Sequence, residues 1–368
     1  MGKKLSRPDK SNNSIKSSKV FQTKTIKPHD YQVPLPPPNF NIYYYRGDRK
    51  YINLSDINYL YPVDDNEIDR MQNQHYLCRH VWGDNYSAPI KKLLGKNDTK
   101  ILDVGCGPAT WTLEMATDYA KSKFTGIDIA PTYPIHTKPC NVEFLQANIL
   151  TGLPYADETF DYVICRLMIF AFTLKDWEIA IREICRVCKV GGYVEFMEKD
   201  ILFWNEGNFT RNARTCFAEE LRTKKKIESV ISPRLPRFIS KTKHFPIIYH
   251  AERNIPIGKW GGKLGEYYEY MYEWGAKNLR NVMKDCGYNE KEWDSIVENV
   301  MEELSYNHGY DKIHRIWAKK EEFQPDMEEK AIYFLSSREI IHTYENEVNL
   351  ISIRKNEQEN FVTESTES

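Results

Sequence analysis

The sequence predicts an α/β fold: a doubly wound, seven-stranded, mostly parallel sheet with an N-terminal helical cap and inserted helices. Three observations predict it. From Lys100 onward, short apolar runs alternate with helical periodicities, the pattern of a parallel sheet covered by helices on both faces. Ile101-Leu102-Asp103-Val104 breaks into Gly105-Cys106-Gly107-Pro108 and then into a helical stretch, a strand, glycine turn and helix in succession. A second apolar run, Phe124-Thr125-Gly126-Ile127, closes on an acid, Asp128, about 25 residues after Asp103. Doubly wound sheets bind their ligands at such carboxyl edges.

Residues 1–40 are rich in Lys, Ser, Asn and Pro and end in Pro34-Leu35-Pro36-Pro37-Pro38. That composition cannot bury a core, so they read as a disordered basic arm with a polyproline brake. Met1-Gly2-Lys3-Lys4-Leu5-Ser6 matches a myristoylation pattern, but a lysine directly after Gly2 favours a solvated tail. Residues 41–95 form a tyrosine-rich cap segment with a helix from Glu67 to about Trp82. Residues 96–320 carry the sheet. Strands are predicted near 100–104, 123–128, 142–147, 160–165 and 191–198, with two more over Phe245–Arg253 and Tyr310–Ala318. Helices are predicted near 109–120, 174–188, 262–286 and 290–306. The second of these ends at Gly191-Gly192, a pair suited to a left-handed cap. A polar, basic helical insertion is expected over about 199–240, and its Lys224-Lys225-Lys226 reads as a solvated loop. Residues 321–368 form an acidic tail with twelve acidic and four basic residues. Ala331 to Leu335 interrupts the tail with an apolar run that the pattern leaves unassigned.

The formal charge of −1 exerts no general pull on nucleic acid or membrane, and no apolar run approaches the ~20 residues of a membrane span. Eight scattered cysteines with no signal peptide ahead of them imply reduced thiols and a cytoplasmic or nuclear location. Cys185 and Cys188 form a C-x-x-C on a helical pattern without a second pair at zinc spacing, so no metal site is expected.

What the glycine turn holds is decided by its acid. Asp103 stands two residues before the first glycine, where a pyrophosphate would be repelled and a cationic ligand attracted. The dinucleotide pattern also wants glycine at Thr110. The turn therefore reads as a nucleoside site for a cationic ligand, and S-adenosylmethionine fits best. Asp128 is placed to accept the ribose hydroxyls. In Val142–Leu150, Asn148 can meet the adenine amino group and the Ile149 N–H a ring nitrogen. Phe160–Arg166 reads as a strand delivering Cys165 and Arg166 beside the amino-acid end of the ligand.

The successive segments ILDVGCGPATW, FTGIDI, VEFLQANIL, FDYVICR and ICRVCKVGGYVEF resemble, in order and spacing, the motifs of class I S-adenosylmethionine-dependent methyltransferases. Gln74-His75-Tyr76-Leu77 and Ile255-Pro256-Ile257-Gly258-Lys259-Trp260 narrow the resemblance to the fungal branch that includes the LaeA-like secondary-metabolism regulators. It covers about two-thirds of the chain and implies a Rossmann-like class I methyltransferase fold. It implies that Asp103, Gly105, Cys106 and Gly107 hold the methionine moiety, Asp128 and Ile129 the ribose, and Asn148 with Ile149 the adenine. Two departures stand out: Ala109 replaces the third family glycine, and Asn148 replaces an acid.

Methyl transfer needs alignment and exclusion of water, and a general base only for a protonated nucleophile. His75, His80 and Arg166 are candidates near the mouth, and no spacing singles one out. Arg166 would clamp a carboxylate or pair with Asp161 or Asp176. Cys165-Arg166-Leu167-Met168 lacks the Asn/Asp-Pro-Pro-aromatic signature of enzymes methylating bases or glutamine, so no nucleic-acid partner is expected. Phe203, Trp204, Trp260, Tyr267, Tyr268, Tyr270, Tyr272 and Trp274 either line a substrate pocket or pack a core; Tyr267, Tyr270 and Trp274 share one helical face. The acceptor expected is a small molecule. The alternatives are a cofactor-binding regulator acting through protein partners, or a protein or RNA methyltransferase.

Overall fold

The computed structural model describes residues 42–53, 59–323, 325 and 332–335. The basic arm lies outside them, as does almost all of the acidic tail. A hairpin of β1 (Tyr43–Arg46) and β2 (Arg49–Ile52) precedes α1 (Asp65–Trp82) and α2 (Lys91–Leu94). Then come β3 (Lys100–Val104), α3 (Thr110–Asp118), β4 (Lys123–Asp128), β5 (Val142–Gln146), β6 (Phe160–Arg166), α4 (Leu174–Val187) and β7 (Cys188–Trp204). The chain continues through α5 (Asn208–Glu220), α6 (Leu235–Ser240), β8 (Ile248–Pro256), α7 (Gly262–Asn278), α8 (Arg280–Asp285), α9 (Glu290–Tyr306), β9 (Tyr310–Lys319) and β10 (Ile332–Leu335).

The main sheet runs β10-β8-β9-β7-β6-β3-β4-β5. Its pairings are parallel except those of β9 with β7 and β8. From β3 the order runs outward through β4 and β5 on one side and through β6 on the other, so the crevice beyond the carboxyl ends of β3 and β6 is the topological switch point. The strands beside it are apolar because both faces are covered: Ile101, Leu102, Val163 and Ile164 are fully buried. On α4, Trp177, Ala180, Ile181 and Ile184 form the buried face at helical spacing. Thr173 and Asp176 make a reciprocal capping box at its start.

Several expectations need correction. Among the described residues the sheet has eight strands, because Ile332–Leu335 pairs parallel with β8 and extends the edge. Gly191-Gly192 does not cap α4. The helix ends at Val187, and the buried Lys320 ammonium donates to the carbonyls of Cys185 (2.8 Å) and Cys188 (2.7 Å). The glycines lie in β7, where a Cβ on Gly192 would meet the Asp161 carbonyl at 2.8 Å. The insertion begins only after Trp204, since β7 continues through Glu198-Lys199-Asp200 and pairs with β9 as far as Tyr310. Lys199 and Asp200 read as part of the polar insertion, yet they are held internally, Lys199 by Asp311 and Asp200 by Ser232.

Candidate active site

The glycine turn leaves β3 with Gly105 at φ 70° and Gly107 at φ 53°. A Cβ on Gly105 would also stand 2.5 Å from the Met168 sulfur, so position 105 excludes side chains twice over. Ala109, at φ 62°, takes the left-handed conformation without being glycine, at a cost of roughly 1–2 kcal/mol. The turn's amides are already engaged. Gly105 and Cys106 donate to the Ile127 carbonyl (2.9 and 3.0 Å), and Gly107 donates to Asp128 Oδ2 (2.7 Å). No anion nest is left among these three N–H groups, which physically separates this turn from a pyrophosphate cradle.

Asp128 is held from both sides, because Ala130 N–H donates to its Oδ1 at 2.8 Å. Burial outweighs those bonds and pushes its carboxyl up to about 6. The residue lines the cavity beyond the turn together with Ile129, Asn148 and Ile149. Asn148 precedes a short 3₁₀ turn (Ile149–Thr151), and its Oδ1 accepts the Leu150 N–H at 2.9 Å.

Asp103 is placed differently from the other candidates. It is 1% exposed and does not line the cavity. Its Oδ2 accepts from Thr112 Oγ1 at 2.6 Å, while its Oδ1 is buried without a partner. Arg166, at the end of β6, does line the cavity. It pairs with neither Asp161, which takes Lys189, nor Asp176, which caps α4. Its Nε is buried and unpartnered, and so is Thr110 Oγ1. The guanidinium lies 5.5 Å from the Trp111 ring centroid and 3.5 Å from His75 Nδ1. The other nitrogen of His75 meets Glu114 at 2.7 Å. Burial, then the Arg166 charge, brings His75 down to about 4, so the ring is neutral and joins Glu114 to Arg166. His80 is exposed and absent from the cavity wall.

The cavity measures about 410 Å³. It runs from the glycine turn under α1 to a chamber walled by α5, α7 and α9. Phe203, Tyr268 and Tyr272 line it, as the sequence suggested. Tyr267 and Tyr270 do not; they are 37% and 56% exposed on the far face of α7, so that aromatic face is neither core nor pocket. Sequence reasoning missed Tyr59, Tyr61, Met71 and Lys199 on the wall. Met71 was legible in principle, three and four residues before Gln74 and His75 on one face of α1. Among the described residues no helix is long and apolar enough to cross a membrane.

Residues 101–192 match a family described as a methyltransferase domain. The chain is 28% identical over 155 residues to the secondary metabolism regulator laeA of Coprinopsis cinerea, covering 41% of this chain and 38% of that protein. It is 29% identical over 214 residues to the N-methyltransferase sirN of Leptosphaeria maculans, covering 58% of this chain and 68% of the relative. Among solved structures, it is similar to Haemonchus contortus phosphoethanolamine N-methyltransferase 2. That match has a TM-score of 0.41 at 14% identity, over 69% of this chain and 58% of that one.

Proposed function

We propose that this chain, which belongs to the class I S-adenosylmethionine-dependent methyltransferases in the branch of the fungal secondary-metabolism proteins, methylates a small-molecule acceptor by direct in-line displacement. S-adenosylmethionine, the cofactor of this family, supplies a methyl group on a sulfonium leaving group. The observation that carries the reading is the set of buried polar atoms left without partners around the turn, Arg166 Nε, Thr110 Oγ1 and Asp103 Oδ1. Buried orphans of this kind call for a polar ligand. Arg166 would take the carboxylate of the amino-acid end, while Asp103 acts from behind the turn through its charge. Asp128 would accept the ribose hydroxyls. The Ile149 N–H and the Asn148 amide would face the adenine, with Asn148 Oδ1 sharing its lone pairs with Leu150. The largely apolar walls would limit water around the reacting atoms. With one ring nitrogen on Glu114 and the other toward Arg166, His75 positions the guanidinium and is not the acceptor's base.

Isothermal titration with S-adenosylmethionine tests the premise, and absence of binding at high micromolar concentration would sink it. Asp128→Ala should weaken binding. The names of the regulator relatives favour a second reading, in which the bound protein works through protein partners in the cytoplasm or nucleus. Labelled cofactor and a fungal metabolite extract separate the two. A labelled small product supports the enzyme; stable partner capture without turnover supports the regulator.

A further inference from the structure

The far chamber of the cavity has an uneven charge arrangement. Lys199, Arg214 and Arg70 all line it, whereas their carboxylate partners Asp311, Glu206 and Glu67 do not. The asymmetry is plainest at Lys199, whose side chain is 20% exposed against 1% for Asp311. Among the described residues, the carboxylates on the wall are Asp128 and Asp176, already placed at the turn and in the α4 cap. Each cation is thus paired with a carboxylate that does not reach the wall, although the Arg70 guanidinium is itself engaged on Glu67 and Gln74. Two Lys199 donors are used, on Tyr268 Oη (2.6 Å) and Asp311 Oδ2 (3.0 Å). Tyr268 in turn donates to Asp311 at 2.6 Å. The ammonium stands 4.4 Å from the Tyr272 ring centroid, with a third N–H remaining.

We propose that this chamber binds an apolar, ring-bearing acceptor through an acidic oxygen (phenol, enol or carboxylic acid) held as an oxyanion against Lys199, with Arg214 and Arg70 completing a cationic rim. The claim rests on reading the cavity as a site of methyl transfer. The acceptor loses its O–H proton to solvent on binding beside the cation. Its oxygen then forms the new bond to the methyl carbon as the carbon–sulfur bond breaks, and the electron pair stays on sulfur. Oxyanion and sulfonium both end neutral. An ammonium-bearing acceptor would meet the cationic ends of three ion pairs rather than their carboxylates, and the orientation of those pairs disfavours it.

The test titrates the full chain, saturated with S-adenosylhomocysteine so that Arg166 is covered, with 2-naphthoate and with 2-naphthylmethylammonium. The two probes share a ring system and differ in charge. The wild type should prefer naphthoate by roughly tenfold or more. Lys199→Met should erase most of that preference and Lys199→Arg restore it, with S-adenosylhomocysteine binding unchanged in both. Equal affinities, preference for the ammonium, or an undiminished preference in Lys199→Met would overturn the proposal. If Lys199→Met does not melt cooperatively, Arg214→Met decides: a reduced preference supports the proposal and a full one overturns it. Failure of S-adenosylhomocysteine to bind refutes the methyltransferase reading instead, and the charge preference is then still read on the free protein.

Discussion

Asp128→Asn separates the energetic cost of the site from its use. In the folded chain burial holds this carboxyl at about 6, against an ordinary value near 4, so ionising it in place costs about 3 kcal/mol at pH 7.5. The folded value is the higher one. The associated stability is therefore present below about pH 4 and lost as pH rises through about 6. Asparagine removes that cost but turns an NH₂ toward one of the two backbone donors, Gly107 N–H at 2.7 Å or Ala130 N–H at 2.8 Å, a loss of about 1–2 kcal/mol. The variant should thus be at least as stable as wild type at pH 7.5 and no more stable at pH 4.5. Relative to wild type it gains about 2 kcal/mol between those pH values. Urea denaturation of both proteins at pH 4.5, 6 and 7.5 measures the difference curve, in which other titrating groups cancel. Cofactor affinity should move the other way. Losing charge-assisted bonds to a diol should weaken S-adenosylmethionine roughly 10- to 100-fold, and wild-type affinity should rise as pH passes about 6. Parallel stability curves would refute the buried-carboxylate account; an unchanged affinity would remove Asp128 from the ribose site.

Arg166→Met should lower S-adenosylhomocysteine affinity roughly tenfold or more by calorimetry. Its melting temperature should fall at neutral pH, because buried Asp103, whose Oδ1 has no hydrogen-bond partner, loses the positive charge that opposes the effect of burial on it. Gly105→Ala must place its Cβ 2.5 Å from the Met168 sulfur at φ 70°; a loss of about 1–2 kcal/mol is expected in urea, and a Met168→Ala background should restore the space without removing the backbone strain. Ala109→Gly, at φ 62°, should gain up to about 1 kcal/mol while keeping cofactor affinity. Burial and then Arg166 hold His75 down at about 4, so its contribution is present above about pH 6.5 and lost toward pH 4. His75→Gln should flatten that acid sensitivity, and identical melting-against-pH profiles would exclude it.

The sequence was most legible where one physical demand acts alone. Apolar runs buried on both faces can only be central strands, and a strand ending in Gly105 must turn in a conformation closed to side chains. It was least legible where two demands compete. Lys199-Asp200 has the composition of a surface loop, but the two side chains are satisfied by Asp311 and Ser232 inside the fold, and β7 runs through them. Gly191-Gly192 has the composition of a helix cap, yet the α4 carbonyls take Lys320 from a segment about 130 residues away. On α7, neighbouring aromatics divide between the two faces: Tyr268 is buried against Lys199, whereas Tyr267 reaches Asn73 on α1 from the solvent side. Helical spacing identifies such faces without saying which of them has a partner.

Asp103 illustrates the same limit from the other side. Asp103 excluded a pyrophosphate on charge, and the exclusion holds, but the structure supplies a second mechanism for it. The turn's amides are closed by Ile127 and Asp128, so a diphosphate would find neither donors nor a favourable field. Asp103 itself is sealed against Thr112. The Arg166 charge opposes the effect of burial on Asp103. The residue on the cavity wall is the cation. Specificity for a ligand with both an ammonium and a carboxylate then follows from the pair, since Asp103→Asn would leave Arg166 without its counter-charge and Arg166→Met would leave the carboxylate end unheld. Either change should cut cofactor affinity. If they act through one electrostatic unit, the double variant should lose clearly less than the two single losses combined, which a double-mutant cycle by calorimetry measures directly. Additive losses would mean that Asp103 serves only the turn.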